Sequence, residues 1–257
     1  MEQFESIKSK ERVKELGEVF TPKEIVEDML GLVDKASIED MSDNANGYRG
    51  YSYDLDKTFL EPSCGTGNFL VQIVARKCET AISNYAKHKN ITLFELDLLR
   101  AVATVYGVDI MSDNVRKSRE RVIETIHTAY TSETKHEVDE QLKDVIEYIV
   151  DRNIVFGNTL ENKMYFRFPT RRGRKMEPAK TNMEGTITFS NENCIVDVIR
   201  DLEFSTWEFK GENVIRTSYS IRSSNSIEPE EAKDNYESIH YRSLHKLLDI
   251  KEKDQSC

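Results

Sequence analysis

Residues 59–70 read FLEPSCGTGNFL. Phe59-Leu60 is a short apolar run that ends in an acid, Glu61, and Pro62 stops the strand it predicts. Gly65 and Gly67 follow two residues apart, and Phe69-Leu70 open a long amphipathic stretch. The pattern predicts a strand, a tight glycine turn and the start of a helix. Glycine has no Cβ and tolerates positive φ, so such a turn lets backbone approach a ligand closely. The N–H groups at the helix start have no intrahelical partner and face a polar ligand. A chain built around this unit is constrained to an α/β arrangement in which the loop after a strand carries the binding chemistry.

The rest of the first 160 residues fits that frame. Residues 6–16 predict a helix stopped by Gly17. Thr21-Pro22-Lys23-Glu24 is a capping box with proline at the first helical position. Ile25, Met29 and Leu32 then recur at helical spacing. Residues 36–57 read as a polar surface loop. Helices are expected over 68–87, with Phe69, Ile73, Val74 and Ile82 inward, and over 92–103. Val105–Ile110 is a near-continuous apolar strand of the buried parallel type. Ser112 is expected to cap a helix carrying Val115, Val122 and Ile126, residues 131–149 to be charged and helical, and Ile154-Val155-Phe156 to be a third strand. Strand and helix in alternation predict a doubly wound parallel sheet.

After residue 163 the pattern changes. Short alternating runs at 164–222, with Gly211 and Asn213 between the last two, predict hairpins and antiparallel structure. Residues 224–235 read as a polar linker, and 236–250 as a final helix with Ile239, Leu244, Leu247 and Leu248. The expected divisions are 1–35 as an N-terminal helical segment, 36–160 as an α/β core and 161–257 as a hairpin-rich region.

Composition narrows the function classes. No run approaches the roughly 20 apolar residues that span a bilayer, and the charged N-terminus holds no apolar signal core. The expectation is a cytoplasmic protein without a membrane partner. Cys64, Cys78, Cys194 and Cys257 form no CxxC pair, and His240 and His245 are poorly spaced for one helix face, so no metal site is expected. A net charge of −10 argues against a surface that grips nucleic acid everywhere. A local basic run remains, with Arg167, Arg171, Arg172, Arg174 and Lys175 close together. It reads either as a solvated loop or as a loop contacting phosphates.

The run Glu61-Pro62-Ser63-Cys64-Gly65-Thr66-Gly67-Asn68-Phe69 resembles motif I of the S-adenosylmethionine-dependent N6-adenine DNA methyltransferases. Three further segments resemble motifs of that family in an order one subclass uses. Gly17–Pro22 is similar to motif X, Val105–Ile110 to motif II and Asn153–Leu160 to motif III. Together they cover residues 12–160. The resemblance implies a Rossmann-like methyltransferase core with N-terminal helices and an antiparallel β-rich C-terminal part. It implies S-adenosylmethionine as cofactor and DNA as substrate, in modification or restriction. Glu61, Pro62, Gly65, Gly67, Asn68 and Phe69 would form the cofactor turn, with the two glycines under the methionine portion. Asp109 would accept hydrogen bonds from the ribose hydroxyls. Ile110 would pack on the adenine, Asn158 would read its edge, and Phe20 and Thr21 would close over the methionine end.

The family's motif IV, an Asp or Asn followed by two prolines and an aromatic, has no counterpart here. The prolines are Pro22, Pro62, Pro169, Pro178 and Pro229, and no two are adjacent. The nearest approach is Asp201 and Phe204, with Leu202 and Glu203 in the proline positions. Two readings follow. One is a DNA N6-adenine methyltransferase, or a subunit of a split one whose partner supplies motif IV. The other is a catalytically inactive methyltransferase-like protein with a regulatory or interaction role. With only three clear parallel strands and an edge that invites pairing, a second protein chain or self-association is expected.

Overall fold

The computed structural model describes residues 21–40, 47–164, 200–221 and 238–247, with short strand segments at 167–169, 180–181, 187–188, 194–196 and 234–235. Its architecture is mixed α/β. The helices are α1 (Lys23–Asp40), α2 (Asn68–His88), α3 (Ile91–Ala103), α4 (Ser112–Thr134) and α5 (Glu140–Asn153). Strand β1 (Phe59–Glu61) follows α1, β2 (Val105–Asp109) follows α3 and β3 (Ile154–Asn158) follows α5. β1 pairs parallel with β2 and β2 parallel with β3, with Leu60 opposite Tyr106 and Val108 opposite Val155.

Beyond β3 the sheet turns antiparallel. β4 (Lys163–Met164) pairs with β3, and β9 (Arg200–Lys210) pairs with β4. β9 and β10 (Asn213–Ile221) form a long hairpin across Gly211 and Glu212, with Gly211 at φ +61. β10 also pairs with β11 (Asp234–Asn235) and β12 (Ile239–His240). Separate two-stranded ladders join β5 (Arg167–Pro169) to β8 (Cys194–Val196) and β6 (Lys180–Thr181) to β7 (Ile187–Thr188). Among the described residues no strand pairs the outer edge of β1, and Leu60 on that edge strand is 53% exposed.

The two faces of the parallel strands are covered differently. On one face α2 lies so close that a Cβ on Gly107 would meet Leu70 at 2.7 Å. On the other, the hairpin returns over the sheet. The Tyr106 hydroxyl donates to the Ser205 carbonyl at 2.8 Å, and Val108, Val155 and Leu202 form a small cluster with Met164 and Phe204. A buried side chain joins these layers. Asn153 donates to the carbonyls of Val102 and Ala103 and accepts from the indole N–H of Trp207.

Several local expectations change. The 36–57 segment is not all loop. α1 runs on to Asp40, residues 51–53 form a 3₁₀ turn, and Ser52 and Leu55 are buried. α1 buries Val26, Leu30, Asp34 and Ser37 and leaves Ile25, Met29 and Leu32 exposed. Ser112 is the first residue of α4 rather than its cap, which is Met111. The 131–149 segment breaks, with Lys135 in the left-handed region and Asp139 capping α5 through a bond from Leu142 N. Residues 239–246 are a short strand and a 3₁₀ helix, Tyr241–Lys246, not an α-helix. The remaining expected helix positions at 69–126 hold. Ile73, Val74, Val115, Val122 and Ile126 are buried, and Phe69 and Ile82 pack partly buried against the core. No described helix is long and apolar enough to cross a membrane.

Candidate functional site

The loop after β1 is held in the shape its glycines allow. Gly65 has φ +53 and Gly67 φ +86, and Gly67 N donates to the Cys64 carbonyl at 2.8 Å. Gly67 is the N-cap of α2 in the left-handed conformation, without a side-chain cap. Packing gives a further reason for glycine here. A Cβ on Gly67 would stand 2.4 Å from the Ser118 Oγ of α4. The missing side chain leaves room for α4.

Asp109 ends β2 and is 6% exposed. Its Oδ2 accepts from Gly65 N at 2.8 Å, and its Oδ1 from Met111 N at 2.8 Å and Asn114 Nδ2 at 3.2 Å. The carboxylate therefore pins the glycine turn to the end of the second strand. The end of β3 joins the same loop, because the Thr159 hydroxyl donates to the Pro62 carbonyl at 3.0 Å. Asn158 makes a local turn bond, its Oδ1 accepting from Leu160 N at 3.0 Å. The start of α1 arrives through Asn68, whose Nδ2 donates to the Thr21 carbonyl at 2.9 Å. Thr21, Pro62, Gly65, Asn68, Asp109 and Thr159, from four distant stretches of sequence, thus meet around one turn.

Chemically the site offers carboxylates and an apolar border. Burial pushes the Glu61 carboxyl up, and its Oε1 accepts a long bond from Ser63 N at 3.4 Å. Ile110 and Phe69 are partly buried against the main core. Burial also pushes the Cys64 thiol up, so it is a packed side chain and not a thiolate nucleophile. No group of described residues assembles a metal site. Comparison with family models, with curated proteins and with solved structures finds no match to this chain.

Other expected residues lie elsewhere. Phe20 is outside the described residues, as are Arg171, Arg172, Arg174, Lys175 and the side chain of Arg167. Asp201 and Phe204 are both in β9. The Asp201 carboxylate pairs with Lys163 Nζ at 2.6 Å, while the Phe204 ring meets Tyr106 edge-on at 5.6 Å between centroids. Three positions apart on a strand, they point to opposite faces.

One row of supporting residues is absent from the sequence reading. Asn114, Ser118 and Arg121 stand at i, i+4 and i+7 on α4 and all meet the site. Asn114 and Ser118 are buried, and Arg121 NH1 donates to the Thr66 carbonyl at 2.8 Å and to Asn68 Oδ1 at 2.7 Å. The signal was a polar stripe at helical spacing beside the apolar one at Val115 and Val122.

Proposed function

We propose that the chain binds S-adenosylmethionine at the C-terminal ends of β1–β3, in a Rossmann-like methyltransferase core, and serves DNA N6-adenine methylation alone or as a subunit of a split enzyme. The observation that carries this reading is the convergence around the glycine turn. The segments that resemble motifs X, I, II and III are joined by Thr21–Asn68, Gly65–Asp109 and Pro62–Thr159 hydrogen bonds. Chance likenesses scattered over 140 residues have no reason to share a hydrogen-bonded loop.

The residues present fit such a ligand. It carries a sulfonium and an ammonium, which suit the acid Glu61, a ribose diol, which suits the Asp109 carboxylate as acceptor, and an adenine, which suits the apolar border of Ile110. When bound it would supply an activated methyl group. The chain's own part is to hold and orient it, through the turn and the acid that pins the turn. The partners in this reading are DNA and a second protein chain or second copy contributing the polar–proline–proline–aromatic loop that the sequence lacks. The second reading, an inactive methyltransferase-like protein in DNA modification or restriction, rests on that same lack.

Two measurements on one preparation test the proposal. Titration calorimetry with S-adenosylmethionine should show binding, weakened by Asp109→Ala. Incubation with labelled S-adenosylmethionine and unmodified DNA, followed by nucleoside analysis, should show weak or no N6-methyladenine from the isolated chain and transfer when the partner is added. A folded wild-type protein that binds no S-adenosylmethionine would sink the proposal. Binding without transfer under any pairing would favour the inactive reading.

A further inference from the structure

We propose that Arg121 is a positioning residue of the ligand site, acting through Asn68 on the chain segment that enters α1; the inference rests on the cofactor-binding reading above. Arginine has only donors. Its NH1 reaches both the Thr66 carbonyl, inside the glycine turn, and Asn68 Oδ1, just after it. With its oxygen committed to a group that can only donate, the Asn68 side chain has one orientation, and its Nδ2 faces the Thr21 carbonyl at 2.9 Å. Each end of the Asn68 amide is used, and the residue is 9% exposed.

The relay Arg121–Asn68–Thr21 therefore sets two things from one helix. It holds the turn carbonyl at Thr66 and fixes how close Thr21, two residues before α1, comes to the turn. α4 contributes the rest of the support from the same face. Asn114 bonds Asp109, and Ser118 fills the space beside Gly67. A helix face that touches the acid and the turn, and reaches Thr21 through Asn68, makes the site one body. Ligand affinity then depends on a side chain that belongs to none of the four motif-like segments.

The test compares wild type with Arg121→Met, Asn68→Asp and Arg121→Lys. Amide hydrogen exchange is measured without ligand, and calorimetric titration with S-adenosylmethionine. Arg121→Met cuts both links. It should raise exchange at the Gly65 and Gly67 amides and weaken binding about tenfold to a hundredfold, the worth of a hydrogen bond from a charged group. Asn68→Asp keeps an acceptor for Arg121 and removes the donor to Thr21, so it should weaken binding while leaving exchange at Gly65 unchanged. Arg121→Lys retains a charged donor and should restore most of both, which a role limited to filling space would not predict. Unchanged exchange in Arg121→Met, or unchanged affinity in both Arg121→Met and Asn68→Asp, overturns the proposal. If wild type binds no S-adenosylmethionine, the cofactor reading fails instead, and the exchange data still decide whether the relay holds the turn.

Discussion

Lys77 carries an ammonium into the interior. The side chain is 0% exposed, yet Nζ finds the carbonyls of Asp54 and Lys57 at 2.6 and 2.7 Å and the Thr104 hydroxyl at 2.8 Å. Burial lowers its pKa to about 7 against the pull of Asp54 and Asp56, with Arg100 lowering it further. The unfolded chain keeps the proton up to the ordinary lysine value of about 10.4. Between these limits the unfolded state binds more protons, so stability should rise as pH rises from about 7 toward 10. Denaturant unfolding across that range should show the rise in wild type and a flatter profile in Lys77→Met. Gly67 makes a second residue-scale case. Gly67→Ala meets both a left-handed backbone, at about 1–2 kcal/mol, and Ser118. It should destabilise the fold by at least that amount, and Ser118→Ala should recover part of the loss. A variant as stable as wild type would show that the turn relaxes away from α4.

At the level of elements, α1 shows how periodicity finds a helix and misses its inner face. Two stripes run along it. Ile25, Met29 and Leu32 are more apolar, but Asp34 and Ser37 belong to the buried stripe because they have partners. Asp34 accepts from Ser52 N at 2.8 Å, the Ser52 hydroxyl at 2.6 Å and Arg76 NH1 at 2.7 Å. Satisfied polar groups can be buried, and their partners lie on the loop before β1 and on α2, far off in sequence. The consequence is measurable by thermal unfolding. Leu30→Ala should cost about 2–5 kcal/mol as a core truncation, whereas Leu32→Lys, at a position 69% exposed, should change stability by no more than about 0.5 kcal/mol. The reverse ranking would mean that the helix is turned over.

Across the whole molecule, the 3₁₀ helix at Tyr241–Lys246 is tied to the helical layer by an ion cluster as well as by the buried Tyr241 and Leu244. Glu95 on α3 is 2% exposed, and Arg242 NH2 bonds both its oxygens at 2.6 and 2.7 Å. The Tyr241 hydroxyl adds a bond at 2.6 Å, and Arg242 NH1 reaches Asp139, the cap of α5, at 2.8 Å. Removing Arg242 leaves the buried Glu95 carboxylate without its cationic partner. Arg242→Ala should therefore lower stability by about 3–5 kcal/mol, and Glu95→Gln in the same chain should return part of it, since neighbours in one network are not additive. Additive losses in thermal melts of the single and double variants would show that the two side chains do not interact.

The strand–turn–helix unit, the three parallel strands and the antiparallel character after residue 163 were readable because each is written locally, in alternation, in apolar runs and in glycine at positions that need positive φ. The candidate turn residues were readable for the same reason. Asp109 stood out as a strand-end acid suited to a ligand's hydroxyls, and its bonds to Gly65, Met111 and Asn114 came only with the fold. The inner face of α1, the 3₁₀ form of residues 241–246 and the α4 row of Asn114, Ser118 and Arg121 were not readable. Each depends on a partner brought from elsewhere in the chain, such as Ser52 for Asp34, Glu95 for Arg242 or Thr66 for Arg121. Local pattern reports what a segment prefers against water. Which polar groups go inside depends on which donors and acceptors the packed layers bring within about 3 Å, and that is a property of the assembled sheet and helices.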